Sequence, residues 1–419
     1  MSVTFMVAIV AGYLLFAPRL YRMSRAHSFL TPSDFLTERF RSGPLALAAS
    51  VILTITLINF MLAQLIAMGN TFAGLTDGRV PYWAGVVGGA LVILVYELLG
   101  GMRAVAWTDA LQGTILIIGL LLAAILLSYE VGTPVEVLNM VADVAPEKTA
   151  GPTMATCFLW LSNMLLLGLG GPLYPQAIQR IYAARRGRDL RRALSVMAFL
   201  PHIAITTVVF IGVAGIAIFP TLDRMESDQI TFRVLAFLVE QQPLAFLPVL
   251  IVMMGVLAAI MSTADSCLLS LSSIVTKDFV ARTRRHVMKE AESLTHIGTI
   301  SSLVAMAVLV PLALSRPTTL WGLLVIKFEI LIQLSPAFVL GTKHERNEPR
   351  AFAAADILIG LATGLTLALL LHATGARPVP GLHPGSAGVI ANYAVVFLAR
   401  EIRIRRGSVT QAGGSSVPS

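Results

Sequence analysis

The chain has 419 residues, of which 56% are hydrophobic and 13% charged, and a formal net charge of +8. Soluble domains carry about 25% charged residues, so a soluble globular protein is excluded. Apolar runs long enough to cross a hydrocarbon layer of about 30 Å recur from the first residues to about residue 400, which predicts an all-α polytopic membrane protein. The two cysteines, Cys157 and Cys267, both fall inside apolar runs and offer no disulfide framework, CxxC pair or metal-ligand cluster.

In chain order the predicted spans are 2–18, 45–74, 81–100, 104–128, 154–180, 190–219, 243–275, 295–315, 319–341, 351–373 and 385–400, eleven crossings in all. Most Lys and Arg residues follow the odd-numbered spans. Those on the opposite side are Arg79, Lys148, Arg224, Arg233, Arg316 and Arg377, while Lys327 lies inside the ninth span. Basic residues are retained on the cytoplasmic side, so the N-terminus is expected outside and the C-terminus inside. The net positive charge is thereby explained as a determinant of topology, and no nucleic-acid partner is expected. The partner of so apolar a surface is the lipid bilayer of a plasma or inner membrane.

The first run starts at once, without the positive n-region or cleavage site of a signal peptide, and resembles the middle of a larger protein. Around the turn Gly100-Gly101-Met102-Arg103 stand Glu97 and Asp109, which either pair with Arg103 in a hydrated turn or line an ion path. Ionisable groups within a bilayer cost several kcal/mol unless they are paired or face water, so they are first candidates for function. The fifth span contains Leu167-Gly168-Leu169-Gly170-Gly171-Pro172. Glycine weakens a helix and proline removes a backbone donor, so the span is expected to break there, either as a binding-site interruption or as a packing kink.

The seventh span places Ala259, Ser262 and Thr263 at i, i+3 and i+4, on one helix face. Two hydroxyls beside a loosened carbonyl offer the hard oxygen ligands that alkali cations prefer. The competing reading is that such hydroxyls simply bond back to the carbonyl four residues earlier. In the ninth span Lys327 and Glu329 are two apart and so face different ways. Lys327 is expected to snorkel outward or pair with an acid, with a role as partner of a substrate carboxylate as the alternative.

Three stretches carry a family resemblance: Gly100–Gln112, Pro175–Ala184, and Met261–Ser266 continuing to Thr276-Lys277-Asp278. In order and placement they resemble the sodium:solute symporter family, which includes sodium-coupled proline, pantothenate and sugar carriers. The resemblance implies a LeuT-like inverted-repeat helical bundle. Residues 1–400 would form one transmembrane domain: an incomplete first repeat over 1–128, a second repeat over 154–341, extra helices over 351–400, and a disordered cytoplasmic tail at 401–419. Members commonly have thirteen crossings, so eleven starting outside implies absence of the first two.

Carried over residue by residue, the resemblance puts Na+ on the Ala259 carbonyl and the Ser262 and Thr263 hydroxyls. It assigns Asp109 and Asp265 to the ion path, and Phe60, Gln64, Leu167, Gly168, Gly171 and Pro175 to the substrate cavity. Leu167 and Gly171 stand where proline carriers present aromatics, which argues against proline as the solute; Glu97 also departs from the family pattern. The function implied is sodium-coupled symport of a small organic solute by alternating access, and not enzymatic catalysis. The competing readings are a shortened, inactive relative and the membrane sensor subunit of a signalling system.

Overall fold

The computed structural model describes residues 2–76, 78–99, 102–222, 226–282, 291–315, 319–343, 348, 351–377 and 379–413. The described chain is almost wholly helical. It runs α1 (Ser2–His27), α2 (Pro32–Phe40), α3 (Gly43–Leu75), α4 (Tyr82–Leu99), α5 (Met102–Glu130), α6 (Pro134–Val144), α7 (Met154–Gly170) and α8 (Pro175–Ala183). There follow α9 (Gly187–Ile218), α10 (Ile230–Gln241), α11 (Phe246–Ile274), α12 (Ala291–Leu314), α13 (Leu320–Leu331), α14 (Ser335–Lys343), α15 (Ala354–Thr374) and α16 (Pro384–Gly413). Nine helical stretches among the described residues are long and apolar enough to cross a membrane. With the shorter apolar Tyr82–Val95 of α4, and with α16, they account for the eleven spans expected from hydropathy.

Two details differ from the sequence reading. The helix of the last span continues to Gly413, beyond residue 400 where the composition predicts an unstructured tail; residues 414–419 lie outside the described residues. Four short helices, α2, α6, α8 and α10, also lie on or between the spans. Local capping explains two of them. The Asp34 carboxylate accepts from the backbone N–H groups of Leu30 and Thr31 at 2.6 and 2.9 Å ahead of α2, and Glu136 accepts from the Thr133 N–H at 2.7 Å ahead of α6.

By contacts the chain forms two compact units that interleave in sequence. One comprises Met1–Met6, Leu57–Pro152 and Leu194–Val325; the other comprises Val7–Thr56, Thr153–Ala193 and Ile326–Ser419.

In the first unit α5 and α11 pack backbone to backbone. A Cβ on Gly119 would meet the Val252 Cα at 2.7 Å, and one on Gly255 would meet the Leu116 Cα at 2.6 Å. Around that crossing lies an apolar cluster that includes Leu120, Leu127, Ile211, Leu235 and Val252. Beyond Ile274 the helix widens into a π-turn over Val275–Ala281, where the Val275 N–H reaches the carbonyls of both Leu271 and Ser272. Asp228 accepts from the Leu320 N–H at 3.0 Å and so fixes the start of α13.

In the second unit Phe338 of α14 stacks against Phe16 of α1 and Phe35 of α2, at centroid distances of 5.9 and 5.3 Å. The buried Arg39 donates to the Gly341 carbonyl at 2.8 Å, a cation at a helix C-terminus. α15 and α16 lie closely paired, with Gly360 and Gly364 against Asn392 and Gly388. Asp356 accepts from Arg403 at 2.9 Å and from the Ala353 N–H at 2.9 Å, which ties the start of α15 to α16.

Two stability predictions follow from these contacts. Gly255→Val drives a side chain into the Leu116 backbone, so it is expected to cost about 1–3 kcal/mol and lower the thermal midpoint. Gly212, which has nothing within 4 Å, is expected to gain about 0.5–1 kcal/mol on conversion to Ala. Thermal unfolding of the purified variants checks both.

Partial burial pushes the Asp228 carboxyl above its ordinary range, and the bond from Leu320 works the other way. A carboxyl raised on folding contributes stability at low pH that is lost as pH rises through its folded value. Asp228→Asn, which keeps an acceptor for Leu320, is therefore expected to raise stability at neutral pH. The gain should shrink as pH falls into the carboxylate range, which unfolding measured across pH will show.

Candidate functional site

In the first unit the site is built on α11. This helix is unbroken through Ala258–Ser270, so the Ala259 carbonyl is not loosened as the sequence suggests. The Thr263 hydroxyl donates back to the Ala259 carbonyl at 2.9 Å. That is the local bond anticipated for such hydroxyls, and it also holds two oxygens side by side on one face. The Thr263 hydroxyl keeps lone pairs for a cation, whereas the Ala259 carbonyl already accepts from both the N–H and the hydroxyl of Thr263 and becomes a ligand only when that hydroxyl turns away.

Ser262, half-buried, stands on the same face, and Ser266 and Ser270 continue the polar stripe at intervals of four, both buried. Asp265 is 3% exposed. Gly255, one turn before Ala259, is where α5 presses on α11, so the ligand face is backed by a rigid crossing. Phe60 and Gln64, four apart on α3 and half-buried, also belong to this unit. Asp109 lies in the opening turns of α5, but its side chain, like those of Glu97 and Arg103, falls outside the described residues, as do Gly100 and Gly101.

The second unit holds the predicted interruption. α7 ends at Gly170, a 3-10 turn covers Gly171–Leu173, Tyr174 is extended at φ −54° and ψ 131°, and Pro175 opens α8. Proline disfavours helical geometry in the residue before it and is well suited to a first helical position, so the break falls where the chemistry puts it. Gly168 has a packing role too. A Cβ there would meet the Ala8 carbonyl oxygen at 3.1 Å, because α1 crosses α7 closely at this point. Leu167 is half-buried, and Gly168, Gly171 and Pro175 are buried around the break.

A second interruption faces it, one that the sequence reading missed. α13 stops at Leu331, a 3-10 turn covers Ile332–Leu334, and α14 resumes at Ser335. Gly170 lies against Phe328, and the Tyr174 ring packs on Phe328 at 5.4 Å. Lys327 does not snorkel. It is 2% exposed, with its ammonium 4.9 Å from the Tyr174 ring centre and 5.1 Å from that of Phe328. Burying its stem among apolar neighbours while two ring faces attract the charge accounts for the inward position. Tyr174 was also missed, although its place before Pro175 marked it.

Part of the polar demand at the α13 turn is met internally. The Gln333 amide donates to the carbonyls of Glu329 and Gly385 at 3.1 and 2.9 Å, and Asn392 donates to the Gln333 carbonyl at 2.8 Å. Non-helical backbone of this kind is tolerated in membrane proteins where protein buries it or where it lines a cavity, which is the construction of ion-coupled transporters. Among the described residues no group of three His, Cys, Asp or Glu side chains is arranged to hold a metal ion.

Long apolar helices, two of them broken, together with a polar oxygen face on a third, define an integral-membrane transporter. A family model described as the sodium:solute symporter family matches residues 1–355. The chain is 26% identical to the sodium/pantothenate symporter of Haemophilus influenzae over 357 residues, covering 83% of this chain and 71% of that protein. It is 28% identical to the osmoregulated proline transporter OpuE of Bacillus subtilis over 367 residues, covering 85% and 73%. Among solved structures, a Na+-coupled sialic acid symporter in its outward-open state aligns with a TM-score of 0.68 at 18% identity, over 96% of this chain and 86% of that one. The inward-facing form of Mhp1 aligns with a TM-score of 0.51 at 15% identity, over 97% and 85%.

The chain belongs to the sodium:solute symporter family. It is a multi-pass membrane transporter with a LeuT-like helical fold and Na+ as its coupling ion, and not an enzyme.

Proposed function

We propose that this protein carries a small organic solute into the cell with Na+, holding the ion on the Ala259 carbonyl and the Ser262 and Thr263 hydroxyls. What supports this reading is membership of the sodium:solute symporter family together with the placement of Ala259, Ser262 and Thr263 on one face of α11, where the Thr263 hydroxyl lies 2.9 Å from the Ala259 carbonyl. In this reading Phe60 and Gln64 of the first unit, and Leu167, Gly168, Gly171 and Pro175 of the second, are each candidates for solute contact. The ion departs to the inside past Asp265 and Asp109. Sodium entry is driven by its gradient and by about 2.3 kcal/mol per charge for each 100 mV.

The solute class follows from shape at the break. Leu167 and Gly171 present no ring, so a solute that relies on aromatic stacking at those positions, as proline carriers arrange it, is disfavoured. The division into an incomplete first repeat over 1–128, a second over 154–341 and extra helices over 351–400 belongs to the same proposal.

The test requires no knowledge of the solute. An ion that binds only the folded state raises its stability with concentration, so the thermal midpoint of purified protein is expected to rise in NaCl and not in choline chloride. Ser262→Ala combined with Thr263→Ala is expected to shift the sodium midpoint upward by about tenfold or more, equivalent to about 1.4 kcal/mol. Thr263→Ser, which keeps the hydroxyl, should stay close to wild type. An unchanged sodium midpoint in the double variant would remove the ion from α11. Sodium-gradient uptake of labelled pantothenate and proline into proteoliposomes then tests the solute assignment, with proline expected to be the poorer substrate.

A further inference from the structure

The second unit contains an acid and two imidazoles that the symport reading does not use. Glu329, on α13 just before its break, is 4% exposed. His372, near the end of α15, places its Nδ1 2.9 Å from the Glu329 Oε2, and its side chain is 44% exposed. His383, the residue before α16, is 8% exposed and places its Nδ1 3.7 Å from the Glu329 Oε1. The Glu329 Oε1 and the His383 Nε2 are both buried with no hydrogen-bond partner. The head of α16 presses on the backbone and stem of Glu329, since a Cβ on Gly385 would meet the Glu329 Cβ at 2.7 Å. The His383 N–H in turn donates to the Ser162 hydroxyl of α7 at 2.9 Å.

We propose that Glu329, His372 and His383 form a proton-binding site. A neutral His372 that donates from Nδ1 to the carboxylate leaves its Nε2 lone pair for a proton from solvent, which the exposed side of the ring can reach. Taking up that proton turns the hydrogen bond into a carboxylate–imidazolium pair. The charge also engages the carboxylate whose second oxygen lacks a partner, and so draws α13, α15 and the head of α16 together. Imidazole is the side chain whose ordinary charge change falls between about pH 5 and 8. Among the described residues the neighbouring charged and titratable groups are few. Lys327 on α13 sits over the Tyr174 and Phe328 rings, Tyr174 adjoins the break in α7, Arg377 in the connection before α16 is exposed, and Tyr393 lies further along α16. The Asp356 and Arg403 pair lies at the far ends of α15 and α16. Described α7 itself bears no charged side chain.

The experiment is thermal unfolding of the full chain in lipid nanodiscs, in choline chloride so that sodium plays no part, between about pH 8 and pH 6. Wild type is expected to gain a few degrees on acidification. Glu329→Gln should abolish the gain, and His372→Gln, at the exposed rim where folding is least at risk, should remove most of it. A purely structural role would lower the midpoint equally at both pH values and leave the slope intact, which would overturn the proposal. So would loss of the wild-type slope in EDTA, or a zinc-induced rise that Glu329→Gln abolishes, since either would make this a metal site.

Discussion

In a hydrocarbon layer there is no water to satisfy a peptide group, so each break in a helix obliges the protein to supply a partner from elsewhere in its own chain. The second unit shows the consequence. Where α13 tightens into a 3-10 turn at Ile332–Leu334, the side chains of Gln333 and Asn392 add hydrogen bonds to the carbonyls of Glu329, Gly385 and Gln333. Where the head of α16 meets α7, Ser162, Ser386 and the His383 N–H form a closed group. Buried amides and hydroxyls therefore cluster at the interruptions and at the helix ends they touch. α2 and α6, which lie between the spans, begin with carboxylates turned back on their own backbone because first-turn N–H groups lack partners within the helix.

A second consequence concerns how helices find one another. Between apolar helices in lipid the hydrophobic effect offers little preference, and association rests on close packing and on polar contacts. Gly119 with Gly255, Gly12 with Gly168, and Gly360 with Gly364 and Gly388 each mark a crossing where a methyl group would strike a neighbouring backbone or side chain. Gly168 shows that the two explanations of a glycine-rich span do not compete here. It allows α1 to approach, and it lies two residues before the end of α7, ahead of the 3-10 turn that leads to the extended Tyr174.

How much was legible in the sequence depended on how local the cause was. Hydropathy located every span, because length and apolarity are properties of consecutive residues. The break in α7 was legible from Gly170, Gly171 and Pro172, and that in α13 from Pro336, which has no N–H to offer the Ile332 carbonyl and stands second in α14; the sequence reading passed it over. The outward snorkelling expected of Lys327 is overturned because the rings beside it include Tyr174, far away in sequence. The meeting of Glu329 with His372, 43 residues apart, left no trace in spacing. The face formed by Ala259, Ser262 and Thr263 was legible from helical periodicity, but the continuity of the helix at Ala259 was not.

That continuity bears on how ion binding can drive a conformational change. A ligand shifts an equilibrium between two states only by the difference in its affinity for them. If every ligand to Na+ lay on one unbroken helix, the ion would find the same oxygens in each state and shift nothing, however tightly it bound. α11 presents two oxygens already bonded to each other and a neighbouring hydroxyl, fewer than a hard cation gathers. If the proposed site holds the ion, the remaining oxygens have to come from other segments, and coupling requires that their distance from α11 differ between states. In that proposal the part on α11 is incomplete by itself, and the close crossing at Gly119 and Gly255 braces it.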